Sequence, residues 1–358
     1  MAIIFIPYMK KALLYLLLFI NTALIMISCG STSGKKSSDI DTTSLKIGVM
    51  PTMDCLPFYV AEKSGMFDSL KTDITLKTFD SAMNCDTALA GGSIDGAASD
   101  IIKAVLLKQQ GDSIKIVMGG DMELYLLTSK SARIRNASSI KEKIVAITRN
   151  SAVDFTADKI LESVKLRSEE LNKPQINSLN IRTQMLCQNQ YDGVLLPEPY
   201  ATLCESKGCN RIADSKSLGL RLSALYINEK KIKGHEEDIK KLITAYNDAV
   251  EFINKKIEEG KTNQLLSFLP EKFNIPDSLM QKDFMSYASL PTDSALTSAY
   301  DWLKGRELIN NDKNFGDLID STFIKSDNKK RTIFKDKKEK QKSEIRQSDK
   351  KPARNIKK

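Results

Sequence analysis

The sequence predicts an α/β protein of two lobes, and three observations carry that expectation. From Leu45 onward, short β-like runs alternate with helical periods, as repeated β-α-β units do. The alternation restarts near Ser129 and gives way after Leu222–Ile227 to long helical stretches. The chain has 358 residues and is 41% apolar, enough for two lobes with a sizeable core.

In chain order, Leu45–Met50 reads as a strand and Pro57–Ser64 as a helix that Gly65 stops. Asp73–Phe79 is a strand, Met83–Ala90 a helix ending at Gly91-Gly92, and Gly96–Ala98 a short buried strand. Ile101–Gln109 places Ile101, Val105 and Leu106 on one helical face, and Ile114–Met118 is again a strand. The second series starts with a strand at Ile144–Ile147, followed by a helix striped by Val153, Ala157, Ile160, Leu161 and Val164. Ser178–Arg182 and Gly193–Leu196 read as strands and Pro199–Lys207 as a helix. Leu222–Ile227 is the last strand; Ile239, Leu242, Ile243, Tyr246, Val250 and Ile253 then mark a long helix, and a later one holds Trp302. Parallel sheets covered by helices on both faces are expected.

The net charge of +9 is a property of one end. From Lys325 onward there are 15 basic and 5 acidic residues, which leaves −1 for everything before. A basic nucleic-acid surface is thereby excluded from the folded part, and residues 326–358 are expected to be a disordered basic tail. At the other end, Lys10 and Lys11 precede an apolar run of 17 residues, Ala12–Ser28, that closes on Ser28-Cys29-Gly30. This is the pattern of an export signal over residues 1–28. Met26-Ile27-Ser28-Cys29 resembles the bacterial lipobox, which implies cleavage before Cys29, lipidation of that residue and anchoring to a membrane of the cell envelope. Residues 29–44, rich in Ser, Thr, Gly and Lys, are expected to be a flexible tether.

Five cysteines follow: Cys55, Cys85, Cys187, Cys204 and Cys209. Outside the cytoplasm pairing is the default, and an odd count leaves one thiol over. Cys55 and Cys85 fall in turns after consecutive strands and are expected to pair. Cys204 and Cys209 could close a small loop, and Cys187 would then be a buried free thiol. No second matching cysteine pair completes a zinc site, and with His235 the only histidine a Cys/His nucleophile has little support.

Three segments in order carry a family resemblance. Lys46–Phe67 (Lys-Ile-Gly-Val-Met-Pro-Thr-Met-Asp-Cys-Leu-Pro-Phe-Tyr-Val-Ala-Glu-Lys-Ser-Gly-Met-Phe) resembles the opening of the nitrate/sulfonate/taurine and thiamine-pyrimidine-precursor binding proteins of ABC importers. Leu89–Asp100 is similar to their next landmark and Leu196-Pro-Glu-Pro-Tyr-Ala201 to their second-lobe turn. The resemblance implies a two-lobe type II periplasmic-binding fold with a two-strand hinge. Lobe 1 would hold residues 45–127 and 223–325 and lobe 2 residues 128–222, with crossings near Leu126–Ser129 and Arg221–Ser223. It also implies a solute-binding protein without catalysis or cofactor, partnered by a permease and an ATPase. The alternatives are an enzyme like the thiamine-pyrimidine synthases of this fold, or a solute-sensing lipoprotein that feeds no importer. Arg149-Asn150-Ser151-Ala152 replaces the Gly-rich turn usual in the family.

Ligands of open parallel sheets sit beyond the carboxyl ends of strands, where helix N-termini offer free N–H groups. That rule selects Thr52, Asp54, Asp80, Asn84, Ser99, Asp100, Asn150, Ser151, Asp154 and Glu198 as ligand-binding candidates. Asp54, Asp80, Ser99 and Ser151 would serve equally well as helix caps. The several carboxylates tilt the expected ligand toward a neutral or cationic nitrogen compound.

Overall fold

The computed structural model describes residues 44–279, 283–310 and 316–324. The expected signal peptide, Cys29, the tether up to residue 43 and the tail over residues 326–358 lie outside the described residues.

The first lobe begins with β1 (Leu45–Val49), which sends Leu45, Ile47 and Val49 into one core. Its Gly48 faces the other way, where a Cβ would overlap the Cys85 sulfur. Pro57 sits in the first turn of α1 (Leu56–Lys63), where a missing N–H leaves no intrahelical bond unmade, and Gly65, with φ 68°, follows its end. Then come α2 (Met66–Ser69), β2 (Ile74–Thr78), α3 (Ala82–Ala90), β3 (Gly96–Asp100), α4 (Ile101–Gln109) and β4 (Ile114–Met118). Residues 119–123 lead to the second lobe, which holds β5 (Leu124–Thr128), β6 (Val145–Ala146), α5 (Ala152–Ser163), α6 (Leu179–Cys187), β7 (Gly193–Pro197), α7 (Tyr200–Ser206) and β8 (Asn210–Asp214). Residues 215–222 return to the first lobe, where β9 (Ser223–Asn228), α8 (Glu229–Ile232), α9 (Glu236–Glu258) and α10 (Asp293–Gly305) follow.

The two sheets have strand orders β2-β1-β3-β9-β4 and β6-β7-β5-β8. They are mixed rather than wholly parallel. β1 is parallel to β2 and β3, and β6 to β7, but β9 opposes β3 and β4, and β5 opposes β7 and β8. The reason is where those strands start. Ser223 of β9 lies beside Asp100, the last residue of β3, and Leu124 of β5 beside Pro197, the last of β7. A strand that starts at the hinge runs away from it, against strands that end there.

The hinge corrects one expected position. β5 already pairs within the second sheet, so the first crossing is residues 119–123, ahead of Leu126–Ser129. Its apolar run Leu-Tyr-Leu-Leu-Thr announces a strand but not a sheet. A second correction concerns Ser178–Arg182, expected as a strand. Ser178 caps α6 by accepting from the Ile181 N–H, and Leu179, Arg182, Thr183 and Leu186 are buried at helical spacing. The extended stretch lies just earlier, where Asn172 and Gln175 bridge Ile144 and Ile147 beside β6.

The lobes also meet outside the two crossings. α10 packs on α4, and its Trp302 reaches the second lobe, edge-on to Phe155 at 5.6 Å between ring centroids and donating to Asp158 at 2.9 Å. One apolar cluster runs from Ile101 and Val105 through Leu296 and Leu303 to Phe155 and Ile160.

Candidate functional site

Capping residues decide the shape of the space between the lobes. Ser81, Asp100, Ser151 and Ser178 accept from the N–H groups of Asn84, Lys103, Val153 and Ile181 at the starts of α3, α4, α5 and α6. Thr52 and Asp54 immediately precede α1. These helix starts converge on a narrow pocket of about 40 Å³ lined by Thr52, Asp54, Ser81, Asp100, Ser151 and Arg182, among others. Convergent N-termini concentrate positive potential and backbone donors.

Arg182 is the cation lining this pocket. It is 2% exposed, and its guanidinium donates to the Thr148 hydroxyl at 2.9 Å. Its Nε has no partner, and no ion pair to it is formed among the described residues. Burial alone pulls its pKa down to about 10, because nothing repays the lost hydration of the cation. Sequence reading missed it: the strand assignment of Ser178–Arg182 hid its place on the buried face of a helix.

The expected residues divide. Thr52, Asp54, Asp100 and Ser151 line the pocket. Ser99 is buried in β3 but lines neither this pocket nor the larger cavity described below. Asp80 and Asn84 are exposed and bonded to each other at 2.7 Å. Asn150 adopts φ 53°, a left-handed conformation that favours glycine, and its N–H donates to Asp154. Asp154 is 1% exposed and held by Lys173 at 3.0 Å and Arg306 at 2.6 Å. Glu198 accepts from Arg211 at 2.6 Å and from the Thr202 N–H at 3.1 Å. It borders the second cavity, and its peptide bond to Pro199 is cis.

The expected carboxylates therefore differ in what they bring to the pocket. Asp154 and Glu198 are matched by cations, Asp80 is exposed, and burial pushes the pKa values of Asp54 and Asp100 up, that of Asp100 to about 6. N–H groups of Lys103 and Ala152 oppose that rise at Asp100 without cancelling it.

A larger cavity of about 440 Å³ lies along the hinge. Gly120, Asp121, Met122 and Glu123 of the first crossing and Lys216, Leu220 and Arg221 of the second line it, with Asp54, Glu198 and Phe284. Lys216 spans its rim, bonded to Glu123 at 3.0 Å and Asp283 at 2.6 Å. Asp54 and Met122 border both spaces.

The cysteines correct a further expectation. All five described cysteines are free thiols, so neither Cys55–Cys85 nor Cys204–Cys209 is a disulfide. Cys55 packs with α1 on one face of the first sheet and Cys85 beneath Gly48 on the other, which explains why succession of turns failed to predict pairing. Cys187 is only half-buried. His235 precedes α9 and bonds Asp238 at 3.1 Å, and it lines neither cavity.

Residues 38–267, more than half of the chain, match the NMT1-like family. The chain belongs to the NMT1-like family. Among curated proteins none matches. Three solved structures with the same fold are similar to this NMT1-like chain. The ligand-binding component of an ABC-type import system from Staphylococcus aureus, with zinc bound, is 16% identical with a TM-score of 0.66, covering 78% of this chain and 97% of that one. The periplasmic aliphatic sulphonate binding protein of Escherichia coli is 13% identical at TM-score 0.63, with coverages of 79% and 94%. The periplasmic nitrate-binding protein of Synechocystis PCC 6803 is 13% identical at TM-score 0.66, with coverages of 78% and 87%. Identities this low establish the fold, which is that of the periplasmic binding proteins. Such neighbours are mainly solute-binding proteins, although a desulfurization enzyme shares the fold. Among the described residues no helix is long and apolar enough to cross a membrane.

Proposed function

We propose that this NMT1-like chain is an extracytoplasmic solute-binding lipoprotein of an ABC importer, and that its solute presents a compact anionic head to Arg182. One observation carries the ligand class: a buried guanidinium with no ion-pair partner among the described residues, at the meeting point of helix N-termini. An oxyanion in that place would accept from Arg182 and from backbone N–H groups together. The sulphonate- and nitrate-binding neighbours support an anion rather than the amine or aminopyrimidine that sequence favoured. The export-type N-terminus supports the location, with Cys29 as the lipidation site.

The pocket of about 40 Å³ admits a head group only, so the lobes must part to load a solute. Parting breaks inter-lobe bonds from Met53 N–H to the Glu198 carbonyl and from Leu179 N–H to the Asp80 carbonyl. Solute contacts that favour the closed state by a few kcal/mol suffice to drive the cycle.

The test is a titration of the purified full chain with nitrate, alkanesulfonates, carboxylates, aminopyrimidines and amines, read by thermal shift and calorimetry. Anions should stabilise the wild type, and Arg182→Lys should weaken them while folding normally. Stabilisation by amines or pyrimidines alone would overturn the ligand class. Lipid attachment is checked by acyl labelling, which Cys29→Ala should abolish. Permease and ATPase genes beside this one would support coupling to an importer over a sensor.

A further inference from the structure

At the end of lobe 2 away from Arg182, three cysteines meet. Cys187 closes α6, Cys204 lies on α7, and Cys209 directly precedes β8. Their three sulfurs lie within 4.8 Å of one another. The Cys187 and Cys204 sulfurs are 3.7 Å apart, whereas a disulfide requires about 2.05 Å. Two thiolates on one tetrahedral zinc, each at about 2.3 Å, are separated by about 3.8 Å. Three elements are arranged so that their thiols share one centre, which a disulfide would leave with a spare sulfur.

We propose that Cys187, Cys204 and Cys209 bind one thiophilic metal ion of the zinc class, with its fourth position open to solvent beside half-buried Cys187. The C-x4-C spacing lacked a partner in the sequence. The fold supplies the third ligand from a different helix, 17 residues upstream of Cys204. The intervening turn is built to bring the pair together: Cys209 N–H donates to the Cys204 carbonyl at 3.1 Å, and Gly208 holds φ 90° between them. Three thiolates on a divalent ion leave one negative charge. Lys207 acts electrostatically on Cys187 and Cys209, and Lys130 passes over Gly208, so cations are at hand. Soft sulfur ligands exclude calcium and magnesium and select zinc-like or cuprous ions. Binding displaces any thiol protons and ties the end of α6, the helix that carries Arg182, to α7 and β8.

The experiment uses the full chain, reduced and freed of metal, titrated with Zn2+ and with Co2+. One equivalent should bind per chain. Cobalt should show sulfur-to-metal charge transfer and visible bands of tetrahedral intensity, and zinc should raise the thermal midpoint. Cys187→Ser, at the solvent boundary, should weaken binding at least tenfold, and replacing all three cysteines should abolish it while Cys55 and Cys85 remain. Alkylation of the wild type should be slowed at these cysteines by zinc, a second measurement that needs no variant. Absence of binding by the reduced wild type, or binding that survives the triple replacement, overturns the proposal. So does peptide mapping of exported protein that finds two of the three joined as a disulfide and unable to take metal. None of these outcomes depends on which solute the cleft holds.

Discussion

The two spaces at the lobe junction differ in the opposite sense from what size alone predicts. The hinge cavity is about 440 Å³, yet Asp54, Asp121, Glu123, Glu198 and Asp283 stand around it, with Lys216 and Arg221 as the cations among its lining residues. The pocket at the helix starts is about 40 Å³ and also has Asp54 and Asp100 in its lining, yet it holds a buried Arg182 that forms no ion pair among the described residues. On the anion proposal, unmet polar capacity rather than volume marks the place of the solute. An orphaned buried cation is costly without a ligand, and a bound anion relieves that cost.

The largest expected effect tests the small pocket directly. Arg182→Met should reduce anion affinity at least 100-fold, about 3 kcal/mol, by calorimetry, and by the same orphan-cation logic should leave the unliganded fold no less stable. Unchanged affinity would break the comparison.

Next is pH. The Asp100 pKa is raised to about 6 in the fold against about 3.9 in an unfolded chain, so the folded state binds more protons between those values. Stability from this group is present below about pH 4 and lost as pH rises to about 6, on the order of 3 kcal/mol. Asp100→Asn, which still caps a helix, should flatten that slope in urea melts at several pH values. Anion affinity should rise as pH falls through the same range, since the neutral carboxyl donates rather than repels.

Smaller still is the contact that holds the lobes together away from the hinge. Asp154→Asn removes a charge shared by Lys173 and Arg306, both of which keep Asp158 within 4.0 Å. A loss of about 1–2 kcal/mol is expected, with scattering profiles of the unliganded protein shifted toward an open form. Smallest is Lys216→Met at the rim of the hinge cavity. Asp283 is solvent-exposed and Glu123 half-buried, so the change should stay below about 1 kcal/mol and leave anion affinity intact. A large loss of affinity there would move the solute site to the bigger cavity.

Local chemistry made much of this legible. Pro57 and Gly65 bracketed α1 from the sequence, and Ser151 caps its helix as expected in a turn that lines the pocket, whereas the cap expected of Ser99 falls to Asp100. The rule that ligands gather beyond strand ends selected Thr52, Asp54, Asp100 and Ser151, which share the lining of the small pocket. Arg182 was not selected, because Leu179 and Ile181 alternate with polar residues as in a strand while Leu179, Arg182 and Leu186 also satisfy a helical period. Over five residues the two periods cannot be told apart.

By itself the sequence determined the β-α alternation, the two-lobed division and the family, since these depend on neighbours along the chain. Only the tertiary structure decided which carboxylates keep a free charge, on which side of a sheet Cys55 and Cys85 lie, and that Cys187 joins Cys204 and Cys209. Those outcomes depend on desolvation and on contacts between segments far apart in sequence, which no local pattern encodes.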